Sequence, residues 1–134
     1  QIVNPTGAFS EPFTPQTVQG QQNLLVVCAA AIAINQTVAI NSSGQAIVGT
    51  ASNHPVGVAL EAGAIGQVIQ VATSGSIVQA IAGSGGVTSN GIVAGAAAGQ
   101  LSGTPSTTIG LNVGIALTTQ ATQGSLFTLF VQVM

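Results

Sequence analysis

Very few residues in this chain could do chemistry. His54, Cys28, Glu11 and Glu61 are the only side chains suited to proton transfer or metal ligation, and aspartate, lysine, arginine and tyrosine are all absent. A catalytic zinc takes three protein ligands. The three on offer would be Cys28 in the apolar run Val-Val-Cys-Ala-Ala, His54 in the turn Ser52-Asn53-His54-Pro55, and Glu61 just after a second apolar run, with no spacing that gathers them. Serine and threonine nucleophiles abound, yet His54 is the sole base and no aspartate exists to orient it. Glu11 and Glu61 would have to be the carboxylate pair of a glycosidase, in a chain with no Trp or Tyr to form a sugar platform. Gly83-Ser84-Gly85-Gly86 has the glycines of a phosphate cradle without its lysine. These residues predict no enzyme, no metal and no cofactor. His54 reads as a solvated turn residue, the carboxylates as exposed, and Cys28 as a small buried hydrophobe.

Charge excludes further classes. With no Lys or Arg and a formal net charge of −2, the chain cannot neutralise phosphates, which predicts no nucleic-acid binding. The same absence removes polybasic attachment to anionic membranes. A spanning helix needs about 18 or more consecutive apolar residues, and the longest run, Leu24 to Ile34, is shorter. Disorder requires low hydrophobicity and high charge, whereas this chain is 46% hydrophobic. At 134 residues the length suggests one domain. Folding at this size buries about two-thirds of the chain's surface, enough for a core without staples.

The elements must then be β. Residues 1–22 differ from the rest, with Pro5, Pro12 and Pro15, the apolar Ile2, Val3, Phe9 and Phe13, and a glutamine-rich end. Proline at this density fits neither a helix nor a central strand, so this segment reads as an extended arm whose apolar side chains find partners on another surface, or equally as an ordinary terminal segment folded back on its own domain. From residue 23 onward, short Val- and Ile-rich runs alternate with Gly, Ser and Asn clusters, the spacing of an all-β domain. Thr37–Ile40 and Gln45–Val48 flank Asn41-Ser42-Ser43-Gly44 as a hairpin. Val68–Thr73 continues through Ser74-Gly75 into Ser76–Ala82, and a little helix is expected near Glu61–Ile65. In the final run, Phe127, Leu129, Val131 and Val133 share one face, which is taken as core. Phe130 lies on the mixed opposite face and is assigned to a subunit contact.

An internal echo organises these runs. Val56-Gly57-Val58-Ala59-Leu60 returns as Val113-Gly114-Ile115-Ala116-Leu117. Gly44-Gln45 matches Gly99-Gln100, Gly49-Thr50 matches Gly103-Thr104, and Gly66 with its strand matches Gly124 with its own. The order is the same throughout, predicting two similar β units, about 23–82 and about 83–134, joined by the Gly83–Gly86 loop, within a single domain spanning 23–134.

This arrangement of a proline-containing arm, V-G-[V/I]-A-L elements, small-residue loops and following strands resembles the capsid decoration (cement) proteins of tailed bacteriophages, the group that includes the lambda head-stabilising protein. The residues that carry it are Pro55–Leu60 with strand Gln67–Thr73, and Val113–Leu117 with strand Ser125–Val133. The resemblance implies a small β-rich, barrel- or tulip-like domain that forms a homotrimer on the outer surface of an expanded capsid. It implies a structural virion protein whose partners are its own copies and the major capsid protein, clamping neighbouring capsid subunits. Ile2, Val3, Pro5, Phe9, Pro12, Phe13 and Pro15 of the arm would then be the capsid contacts. The alternative reading of the same uncharged β material is a self-assembling extracellular surface or filament subunit.

Overall fold

A computed structural model describes residues 22–134. It is built from ten strands in chain order: β1 (Asn23–Val27), β2 (Thr37–Ile40), β3 (Ala46–Val48), β4 (Pro55–Ala59), β5 (Val68–Ala72), β6 (Ile77–Ile81), β7 (Ile92–Gly95), β8 (Leu101–Ser102), β9 (Asn112–Ala116) and β10 (Leu126–Val131). They form two five-stranded antiparallel sheets, ordered β1-β5-β4-β2-β3 and β6-β10-β9-β7-β8. The chain is mainly β and made of two similar units, as the echo predicts. In each sheet the two edge strands meet only through a single parallel bridge, Cys28 with Ala46 and Ala82 with Leu101, so neither sheet closes fully into the expected barrel.

The two orders are one order repeated, and the repeat extends to single hydrogen bonds. Asn35 and Asn90 both take the left-handed conformation, with φ of 73° and 69°, which asparagine tolerates better than most residues. Each donates its N–H to the end of the echoed strand, Asn35 to the Ala59 carbonyl at 2.9 Å and Asn90 to the Ala116 carbonyl at 2.7 Å. The N–H groups of Gly66 and Gly124 reach the Cys28 and Ala82 carbonyls, both at 2.8 Å. The glycine of the echo has its own cause. A Cβ at Gly57 would collide with the Ala72 carbonyl, and one at Gly114 with the Phe130 carbonyl, because the neighbouring strand passes too close for a side chain.

The repeat also corrects the unit boundary. Ser76–Ala82 does not close the first unit. Its strand β6 pairs with β10 from Ile77↔Phe130 to Ile81↔Leu126, so the units meet at residues 73–76. Gly83–Gly86 is consequently a loop inside the second unit, equivalent to the Ala29–Ala31 segment that follows β1. Residues 61–65 are not helical; among the described residues the helical element is one short 3₁₀ turn, Ala97–Gly99. Leu24–Ile34, the longest apolar run, is strand β1 followed by single bridges at Cys28 and Ile32.

Two apolar clusters hold the units. The smaller lies within the first, where Val26, Cys28, Ile32, Val38, Ala46, Ala59, Ile69 and Val71 pack together. The larger gathers the equivalent residues of the second, among them Ala80, Val93, Leu101, Ala116, Phe127 and Leu129, and adds Val58 and Ala72 from the first sheet's opposite face. The first sheet is thus covered on one face by its own core and, at Thr37, Val58 and Ala72, on the other face as well, while Leu25, Val27 and Val68 on that face stay exposed. Replacing Gly57 or Gly114 with alanine should cost about 1–3 kcal/mol or more in chemical denaturation, as expected for overpacking against a backbone that cannot yield.

Candidate functional site

The groups capable of chemistry are dispersed by the fold. Cys28 begins the loop after β1 and is 1% exposed in the smaller cluster. Burial, and secondarily the nearby Glu61, push its thiol above the ordinary value of 9.0. Glu61 is exposed at the surface, where its Oε2 accepts the Gln70 N–H at 2.9 Å. His54 is exposed in the turn before β4, close against Gly110 of the second unit. No group of three or more His, Cys, Asp or Glu residues is gathered among the described residues. Glu11 and the arm residues Ile2, Val3, Pro5, Phe9, Pro12, Phe13 and Pro15 lie outside the described residues.

What the fold does assemble is surface. Phe127, Leu129 and Val131 point inward and are buried, whereas Val133 lies beyond the end of β10 and is half-buried. Phe130 is half-buried on the opposite face of β10. Across that face the ladder registers align Ile77 with Phe130, Phe130 with Ile115, and Ile115 with Ile92. An apolar row therefore crosses β6, β10, β9 and β7, with Ile77 and Ile92 at its ends 44% and 39% exposed. The sequence reading found Phe130 alone. Ile92, Ile115 and Ile77 could have been found by carrying the echo across to the strands that flank it.

A second feature lies where the units join. Gln22, the first described residue, is tied down by four bonds: its N–H donates to Ser76 Oγ at 2.8 Å, and its carbonyl accepts from the Thr73 N–H at 2.8 Å, from Ser76 Oγ at 3.1 Å and from Thr73 Oγ1 at 3.2 Å. On the other side of the same junction the Val133 N–H donates to Ser74 Oγ at 3.1 Å. Between them opens a shallow groove of about 620 Å³ lined by Gln22, Pro55, Val56, Thr73, Gly75 and Val133. The root of the arm, the inter-unit linker and the tail of β10 therefore converge on one open, mixed-polarity depression.

No family model and no curated protein matches the chain in sequence. Among solved structures, the N base of the head fibre gp8.5 of bacteriophage phi29 matches over 84% of this chain and 94% of its own, with a TM-score of 0.65 at 17% identity. The two share a fold: an all-β protein of paired five-stranded sheets is the class this chain belongs to.

The Cys28 environment makes a direct prediction. The native protein should resist thiol-disulfide reagents at pH 8 and react fully once denatured. Because its thiol is harder to ionise when folded, stability should also fall as pH rises past the ordinary thiol range, where only the unfolded chain loses the proton.

Proposed function

We propose that this chain is a structural protein of a phage head, acting by binding and not by catalysis. The observation that carries the reading is the shared fold with the base of a phage head fibre, joined to the decoration-protein resemblance of the arm and the paired V-G-[V/I]-A-L elements. In its finer form, the protein sits on the outer surface of the expanded capsid as a homotrimer and clamps neighbouring major-capsid subunits. Neither nucleic acid nor membrane is a partner in this reading.

The lack of charge suits such a role. Attachment to a shell relies on many repeated apolar and backbone contacts, and repetition raises avidity without any one contact being strong. The arm is the natural clamp. Its root, Gln22, is fixed at the unit junction by hydrogen bonds to Thr73 and Ser76, so the point at which the arm joins the folded body is defined. Burying Phe9 and Phe13 in a groove of the shell contributes about 1.5–3 kcal/mol each, offset by the cost of ordering the segment.

Deleting residues 1–15 tests this. The truncated protein should keep its thermal midpoint and solution mass while occupying expanded capsids more weakly than the full chain. Equal occupancy would remove the arm from the clamp. Loss of the fold would place the arm in the core.

A further inference from the structure

The apolar row on the second sheet is a copy of a surface that the first sheet buries. Register fixes the correspondence. In the first sheet Asn23 pairs with Ala72, Ala72 with Val58, and Val58 with Thr37. In the second, Ile77 pairs with Phe130, Phe130 with Ile115, and Ile115 with Ile92. Thr37, Val58 and Ala72 are fully buried, with Val58 and Ala72 packed into the second unit's cluster. The contact is reinforced at its rim, where the Gly99 N–H donates to the Gly49 carbonyl and Gln36 Nε2 donates to the Ala98 carbonyl, both at 3.0 Å.

The other half of this contact is duplicated too. The 3₁₀ turn that the second unit lays against Gln36 and Gly49 corresponds to Asn41–Gly44 in the first. A Cβ at Gly99 would strike Gln36, whereas one at Gly44 meets nothing within 4 Å. Each unit thus carries both a turn that docks and a face that receives. Inside the chain only one pair is used.

We infer that the Ile92–Ile115–Phe130 face receives the first unit of a second copy of this chain, in a head-to-tail repeat of the internal contact. Stacked repeats need a polar outer face on the last unit to stop the series. Here the last unit presents Ile and Phe where the buried face has Thr, Val and Ala, so it is built to be covered. A head-to-tail contact either closes into a ring or runs on as a filament, and the proposal holds for both. It deepens the self-association in the proposed function by naming its surface, and it needs no capsid.

The test is sedimentation of the full chain at tens of micromolar, without shells. Wild type should form oligomers or longer assemblies. Ile92→Lys, the milder Phe130→Gln, and Ser43→Trp on the docking turn should each weaken association at least tenfold while retaining the far-ultraviolet circular dichroism spectrum. Leu25→Lys, on the exposed β1 edge, should associate like wild type. A monomeric wild type, or folded face variants that assemble normally, would overturn the proposal. So would loss of assembly on deleting residues 1–21 with the face variants unaffected, since the arm would then be what joins the copies. A chain that assembles through this face but never binds heads contradicts the head assignment alone.

Discussion

A sheet of short strands has two faces, and this chain has almost nothing with which to solvate either. Glu61 is the one charged side chain among the described residues. A conventional antiparallel sheet turns one face to a core and the other, charged and polar, to water. Here the Thr37–Val58–Ala72 stretch of the second face has to be covered as well, while Leu25, Val27 and Val68 beside it stay exposed. Duplication meets that constraint: the second unit packs its own core and lays it across the outer face of the first, bringing Val58 and Ala72 into the larger cluster. The separate smaller cluster, the placement of the linker at residues 73–76 and the docking of the Ala97–Gly99 turn all follow from that one contact.

The contact also limits what can stand at particular positions. At Gly57 and Gly114 the backbone of the adjacent strand leaves no room for a side chain, so the glycine of the echoed V-G-[V/I]-A-L element is steric and not a binding motif. The residue after it diverges where its surroundings diverge. Val58 is sealed between units, while its counterpart Ile115 is only half-buried. The function proposed for the chain draws on the same economy: surfaces that lack charge are useful for assembly and poor for catalysis, and the described titratable groups are not gathered into a cluster of three, with Cys28 buried among apolar neighbours.

Much of this was legible in the residues. The hairpin from Thr37 to Val48 announced itself by its Asn-Ser-Ser-Gly turn, the inward face of β10 by the alternation of Phe127, Leu129 and Val131, and the two units by the echo. The boundary between them was not legible. Ser74-Gly75 and Gly83-Ser84-Gly85-Gly86 are equally good turn signals, and the choice between them rests on the pairing of Ile77–Ile81 with a strand about fifty residues away. Long-range pairing leaves no local mark. The seam was hidden for a related reason: Thr37, Val58 and Ala72 look like ordinary strand residues until their ladder neighbours are known, and so do Ile92 and Ile115. Residues 61–65 looked helical because glutamate and alanine favour helices locally, but the backbone there serves the Ile32–Gly63 bridge instead.

The account stands most directly on the claim that one ladder position is sealed in the first unit and left open in the second. The measurement is the denaturation free energy of Val58→Asn beside that of Ile115→Asn, followed by circular dichroism at concentrations low enough to keep the protein dissociated. An amide sealed in the seam without partners, together with the lost apolar packing, should cost Val58→Asn about 3 kcal/mol or more. Ile115→Asn, able to reach water, should lose far less. Equal losses at the two positions, or a tolerated asparagine at Val58, would contradict the stacked arrangement of the units.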